Sequence, residues 1–202
     1  MNAFTKYELT DETIDYKGHT LHRIKAVTNF GDIKAGDLGG FIESEDNLSH
    51  SGYCWVYDEA KVYEHARVNN DAEIYGDADV YNEARVFDAA KIYGNAKVYG
   101  NAQIRGNAEV YETAVVYGSA KIYDCCWVYG NAVVISNEDY IEFKNWWSSG
   151  RHFTWTRSNN MWKVGCFYGT GEQLIEKAYK DSEKSGREYE RVVKYVESIL
   201  NK

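Results

Sequence analysis

From Val56 onward an aliphatic residue returns at every sixth position without a slip, through Val62, Val68, Ile74 and Val80 to Val134. Four residues after each stands Ala, from Ala60 to Ala132, with Cys126 the one departure. The residue following the aliphatic is nearly always Tyr, and the next two are turn formers such as Gly-Asn or Gly-Asp. In a unit such as Ala-Lys-Val-Tyr, alternation sends Ala and Val inward and Lys and Tyr outward, which makes a short strand. Gly and Asn tolerate positive φ and supply the corner. Strand and corner at this fixed spacing describe a β-solenoid whose coils stack by parallel hydrogen bonds.

The outward Tyr column gives the number of hexads per coil. Asn69, Phe87 and Arg105 interrupt it at intervals of eighteen, and Cys54 and Cys126, which both precede Trp-Val-Tyr, differ by seventy-two. Three hexads per coil follow, a three-sided parallel prism of about five coils at ~4.8 Å each. At that rise the two cysteines fill equivalent inward slots roughly 19 Å apart, beyond disulfide reach.

The flanks follow other patterns. Residues 1–47 show weak alternation in Thr20–Val27 and a Gly-rich run over Gly31–Glu43. A strand or two and capping loops are expected there, since an open solenoid end invites edge pairing. The Gly-Asp-Leu-Gly-Gly run lacks the Gly-Lys-Ser/Thr ending of a phosphate loop and reads as turn and cap. After Ile135 the period breaks. Asp139–Trp147, His152–Arg157 and Met161–Phe167 predict an antiparallel meander with turns at Ser148–Gly150 and Ser158–Asn160. Thr170 with Gln173 forms a capping box for a helix through about Lys184. Gly186 is expected to separate it from a second helix striped by Tyr189, Val192, Val196 and Ile199. The fold class is therefore mainly β: a capping segment over 1–47, a solenoid over 48–135, and a small α+β module over 136–202.

Composition removes several functions. A formal charge of −8 and a pI near 5.2 argue against direct nucleic-acid binding. The four cysteines lack CxxC spacing, no signal peptide precedes them, and no apolar run approaches the ~20 residues of a membrane span. A reduced, cytoplasmic setting is expected. The scattered histidines offer no metal-ligand spacing, and no cofactor is implied.

The eighteen-residue coil assigns outward residues to faces. The first carries Tyr57, Tyr75, Tyr93, Tyr111 and Tyr129, with Trp55 and Trp127 at its ends. The second carries Tyr63, Tyr81, Tyr99 and Tyr117 beside Lys61, Asp79 and Lys97. The third shows Arg67, Arg85, Arg105, Lys121, Phe87 and Tyr123, and no acid in its strand positions. Stacked tyrosines stabilise one another as cross-strand ladders, and Tyr, Trp and Arg are also the residues of binding hot spots. Arg67, Arg85, Arg105, Lys121, Phe87 and Tyr123 are the candidates for binding phosphates, nucleotides or an acidic partner. Trp55, Trp127, Tyr75, Tyr93 and Tyr111 are the candidates for an aromatic contact. Acidic corners such as Asp58, Glu64 and Asp88 leave DNA mimicry open, and the absence of Thr columns removes ice binding.

The hexads, with their Leu/Ile/Val-x-x-x-Ala-x signature, resemble the left-handed parallel β-helix of hexapeptide-repeat proteins over about 48–135. The wider layout resembles a family of phage and prophage proteins. It rests on Leu21–Val27, Gly31–Ser49, the Val-Tyr-Gly-Asn-Ala hexads and the Gly165–Thr170 element. The first resemblance implies left-handed winding and raises acyl transfer, with a His acting as base on an acceptor and an acyl-CoA donor. Only His65 lies within the hexads, at a corner, and no loop interrupts them, so an enzyme is the runner-up. The second resemblance implies a non-enzymatic protein that engages a host protein or nucleotide signal, with counter-defence of the anti-CRISPR kind the sharpest form. A structural virion component is the further alternative, and the last helix or a solenoid face could support a homodimer or trimer.

Overall fold

The computed structural model describes residues 5–147 and 149–200. The chain divides into two units, one running to Asn137 and the other beginning at Glu138. In the first unit the hexads wind as their period predicts. Fourteen two-residue strands, from Trp55–Val56 to Val133–Val134, line the coils. Each pairs in parallel with the strand eighteen residues away: Trp55 lies beside Glu73, Lys61 beside Asp79, and Arg67 beside Arg85. Three sheets result, one per face.

The inward Ala, Val and Ile of every hexad are fully buried, as are Cys54 and Cys126 in the slots expected for them. None of the four cysteines forms a disulfide. At each corner from Asp58 to Gly130 the second residue after the inward aliphatic takes φ between +51° and +70°. Gly adopts this region without cost and Asn or Asp at little, which is why those residues recur there. The Ala amide then donates back across the corner, as Ala96 N does to Tyr93 O at 3.4 Å. Ala is the right size because its slot is closed by neighbouring coils on both sides.

The N-terminal segment is more ordered than a cap of loops. Strand β1 (Tyr7–Tyr16), for which the sequence pattern gave no signal, forms a hairpin with β2 (His19–Ala26). Strand β3 (Leu38–Ile42) pairs antiparallel with β2 and parallel with Lys61–Val62, so the hairpin extends the second face. The Gly-Gly pair expected as a turn thus lies in a strand. It is glycine for lack of space: a Cβ on Gly39 would stand 2.6 Å from Val56 O and from Ile24 Cγ1. A single 3₁₀ turn (Glu45–Asn47) follows. Asn47 is fully buried and accepts from the Glu43 and Ser44 amides while donating to Glu64 O and Ala66 O.

This segment overturns the expectation for Trp55. Its side chain is fully buried, edge-on to Phe30 at 5.3 Å and to Tyr7 at 6.1 Å. The N-terminal chain covers that end of the first face, and Trp55 is core.

In the second unit the meander has four strands, Tyr140–Lys144, His152–Thr156, Met161–Val164 and Phe167–Gly169. The run expected as one strand over Met161–Phe167 turns at Gly165, whose φ is +55°. Ser148, in the first expected turn, lies outside the described residues. Thr170 caps α1 (Gly171–Asp181) by accepting from the Gln173 amide, with the expected capping box. The break before α2 (Glu183–Leu200) falls at Ser182. Gly186 sits inside α2, where a Cβ would run into the Tyr179 ring. The helices pack Leu174, Val193 and Val196 with Phe153, Trp155 and Trp162 of the meander. No described helix is long and apolar enough to cross a membrane.

Candidate functional site

The third face is built from Arg67–Val68, Arg85–Val86, Gln103–Ile104 and Lys121–Ile122. Val68, Val86, Ile104 and Ile122 point inward and are fully buried, so the residue before each must point out. Arg67, Arg85, Arg105 and Lys121 are exposed. Arg67 and Arg85 are direct register partners, about 4.8 Å apart along the stack. Among the described residues neither makes an ion pair or a side-chain hydrogen bond. Like charges placed side by side on a sheet oppose each other by ~0.2–1 kcal/mol. Arg105 lies with its guanidinium 5.5 Å from the centroid of Tyr123, which is exposed, and Phe87 is half-buried in the same column.

Several charges on the other two faces are met locally, although Lys61 and Lys97 make no ion pair among the described residues. Lys91 Nζ meets Glu73 Oε2 at 2.6 Å, and the Tyr93 hydroxyl donates to Glu109 at 2.7 Å. Lys17 from the hairpin meets Asp79 at 3.1 Å on the second face. The Tyr columns form continuous stacks: Tyr75–Tyr93 and Tyr93–Tyr111 have centroids 4.9 and 4.5 Å apart with planes within 13°. Burial first, and Glu73 after it, push the Tyr57 phenol up to about 12. Burial and then Glu109 raise Tyr93 as well. These side chains are half-buried and engaged with each other, which is the structural role of a ladder. Trp127 is half-buried at the far end of the first face.

The N-terminal segment makes a depression against the first coil that the hexad pattern does not show. This depression of about 490 Å³ is lined by His19, Glu43, Asp46, Glu64, His65 and Arg67. His19 Nδ1 lies 3.0 Å from Glu43 Oε1 and its Nε2 lies 3.4 Å from Glu64 Oε1. The hydrogen bond to Glu43 raises the His19 pKa. Burial disfavours the Glu43 carboxylate, yet the contact with His19 and the amide of Glu64 together hold its pKa low. The two carboxylates favour the protonated form of His19, which cannot accept a proton, so His65 remains the candidate base of this depression. His19, Glu43 and Glu64 were missed because two of them arrive on the N-terminal segment, and no periodic signal links that segment to a particular coil. Among the described residues no group of three or more His, Cys, Asp or Glu side chains is placed to hold a metal.

No family model matches the chain. Over 62 residues it is 36% identical to a protein named "Uncharacterized acetyltransferase YdcK" of Escherichia coli (strain K12). The match takes in 27% of this chain and only 19% of that relative. Period, three-sided parallel coil and this match fit the hexapeptide-repeat proteins.

Proposed function

We propose that this protein is a non-enzymatic binding module whose third face docks an acidic partner. The observation that carries the reading is the uncompensated pair Arg67 and Arg85. A chain of net charge −8 has carboxylates to spare, yet among the described residues these two register partners stand side by side with no ion pair to either. Such an arrangement costs folding free energy and is suited to groups that arrive with the partner. In the phage setting that the resemblance implies, the partner is a host protein or a nucleotide signal.

The test replaces Arg67, Arg85 and Arg105 together with Glu. Fluorescent poly-glutamate and ATP serve as probes of the two partner classes, titrated over a series of salt concentrations. The wild-type chain should bind at least one of them with affinity falling as salt rises, and the triple variant should lose that binding while keeping its β-sheet circular dichroism. Absence of binding to either probe, or equal binding by the variant, removes the proposal.

A second reading is favoured by the depression around His65 and by the name of the Escherichia coli relative. In it the protein transfers an acyl group from a thioester donor, with His65 accepting the proton of the acceptor. It predicts thermal stabilisation by acetyl-CoA and loss of transfer in His65→Ala; no shift with any acyl-CoA ends it.

A further inference from the structure

A second charged cluster lies away from the third face, where the tip of the β1–β2 hairpin meets the second face. Lys17 Nζ lies 4.7, 5.1 and 5.8 Å from the ring centroids of Tyr16, Tyr81 and Tyr63. It also meets Asp79 Oδ2 at 3.1 Å and the Tyr63 hydroxyl at 3.3 Å. Tyr63 and Tyr81 are stacked at 5.0 Å, and Tyr16 stands edge-on to Tyr63 at 5.9 Å. Three aromatic rings and a carboxylate around the Lys17 ammonium constitute a cation cage, and Lys61 Nζ, 5.0 Å from the Tyr16 centroid, flanks it.

Two details set it apart from an ordinary surface contact. Lys17 and Gly18 are the two residues of a tight hairpin, at φ +52° and +88°. Such a turn favours Asn-Gly, Asp-Gly or Gly-Gly, so Lys17 holds an unfavourable backbone conformation while its ammonium fills the cage. Asp79 is 97% buried, with 3% of its surface exposed, and accepts at Oδ2 from both Tyr16 and Lys17, yet its Oδ1 has no hydrogen-bond partner. The carboxylate of Asp79 therefore has acceptor capacity that Lys17 does not use. The Lys17 side chain is 47% exposed, so the cage opens to solvent along the path by which Lys17 enters.

We propose that Tyr16, Tyr63, Tyr81 and Asp79 form a binding site for an alkylammonium group, and that Lys17 occupies this site in cis. An incoming ammonium competes with Lys17 and frees the hairpin tip when it wins. The site is independent of the basic third face and takes a ligand of opposite charge.

The experiment vacates the cage without disturbing the turn. Lys17→Asn gives the preferred Asn-Gly sequence, with a side chain too short to reach Asp79. Full-length wild type and variant are titrated with tetramethylammonium chloride and, separately, n-butylammonium chloride, against sodium chloride at equal ionic strength. Ring-proton shifts of labelled tyrosine report binding. The variant should saturate at a concentration about tenfold or more below the wild type, because an occupied site weakens apparent affinity by its unoccupied fraction. Tighter binding of tetramethylammonium assigns the site to a methylated ammonium, and tighter binding of n-butylammonium to a primary amine such as lysine. Lys17→Gly, which also suits the turn, must show the same gain, and adding Asp79→Asn must reverse it. Saturation by neither cation, equal affinity in wild type and variant, or a gain confined to one of the two variants overturns the proposal.

Discussion

Gly40 offers a direct measure of how the N-terminal segment is fastened to the solenoid. A Cβ there would stand 2.6 Å from Ala60 O, 2.7 Å from Val56 Cγ1 and 2.9 Å from Tyr57 O. Two of these neighbours are backbone atoms of the first coil, which is held by parallel pairing to the next and does not yield as a side-chain end would. For Gly40→Ala, β3 must retreat by about 0.8 Å to restore ordinary contact. The retreat stretches the Phe41 N to Ala60 O hydrogen bond, now 2.9 Å, out of its useful range. Overpacking of this kind costs ~1–3 kcal/mol and a weakened buried hydrogen bond about 1 more. We expect about 3 kcal/mol, concentrated in the segment and not in the coils. Amide hydrogen exchange reads this locally: protection of residues 7–42 should fall by about a hundredfold, with the hexads after Ile74 little changed. Gly18→Ala is the control, because a Cβ there meets nothing within 4 Å and its cost is the ~1 kcal/mol of a strained φ. Protection within about threefold of wild type in Gly40→Ala would refute the reasoning.

Asn47→Ala should cost about 3 kcal/mol in urea unfolding, since it strands the Glu64 and Ala66 carbonyls and the Ser44 amide that the side chain now satisfies; a loss under about 1 kcal/mol would show that water replaces it. The His19–Glu43 contact makes the fastening pH-dependent. The raised His19 pKa means that its contribution is complete below about 6.5 and fades as pH rises through the raised value. The lowered Glu43 pKa means that its contribution fades as pH falls through a value below the ordinary carboxylate range. The hairpin should therefore be held most firmly in mildly acidic solution. The imidazole midpoint of His19 by NMR should lie above about 6.5 and drop in Glu43→Gln; an ordinary midpoint in the wild type contradicts the geometry.

The solenoid was legible in the sequence because each hexad meets the same surroundings, so one rule applied fourteen times places Ala, aliphatic and corner. Even the adjacent Cys125 and Cys126 resolve by it, the first half-buried at a corner and the second inward. The rule fails where the surroundings stop repeating. Trp55 and Tyr63 hold outward positions and are nonetheless buried, because β1, β2 and the Phe30 loop lie over the first coils. Nothing local to Trp55 or Tyr63 records that cover. The Gly-Gly pair looked like a turn because its need for glycine comes from Val56 and Ala60, sixteen and twenty residues ahead of Gly40. Of the candidate site residues, the third face was legible as charge segregation. The cage was not, since it takes Tyr16 and Lys17 from a hairpin and Tyr63, Tyr81 and Asp79 from two coils.

The eighteen-residue coil also sets which changes of length the protein can absorb. Every corner is alike, so inserting six residues after Val68 would leave each new coil hydrogen-bonded and each Ala buried. The same insertion would carry Arg85 and every later residue one face round, parting it from Arg67 and interrupting both Tyr stacks. An insertion of eighteen restores all three columns and adds ~4.8 Å of rod. Chains descended from this one can therefore lengthen by single hexads without unfolding, but only whole coils keep the surface pattern in phase.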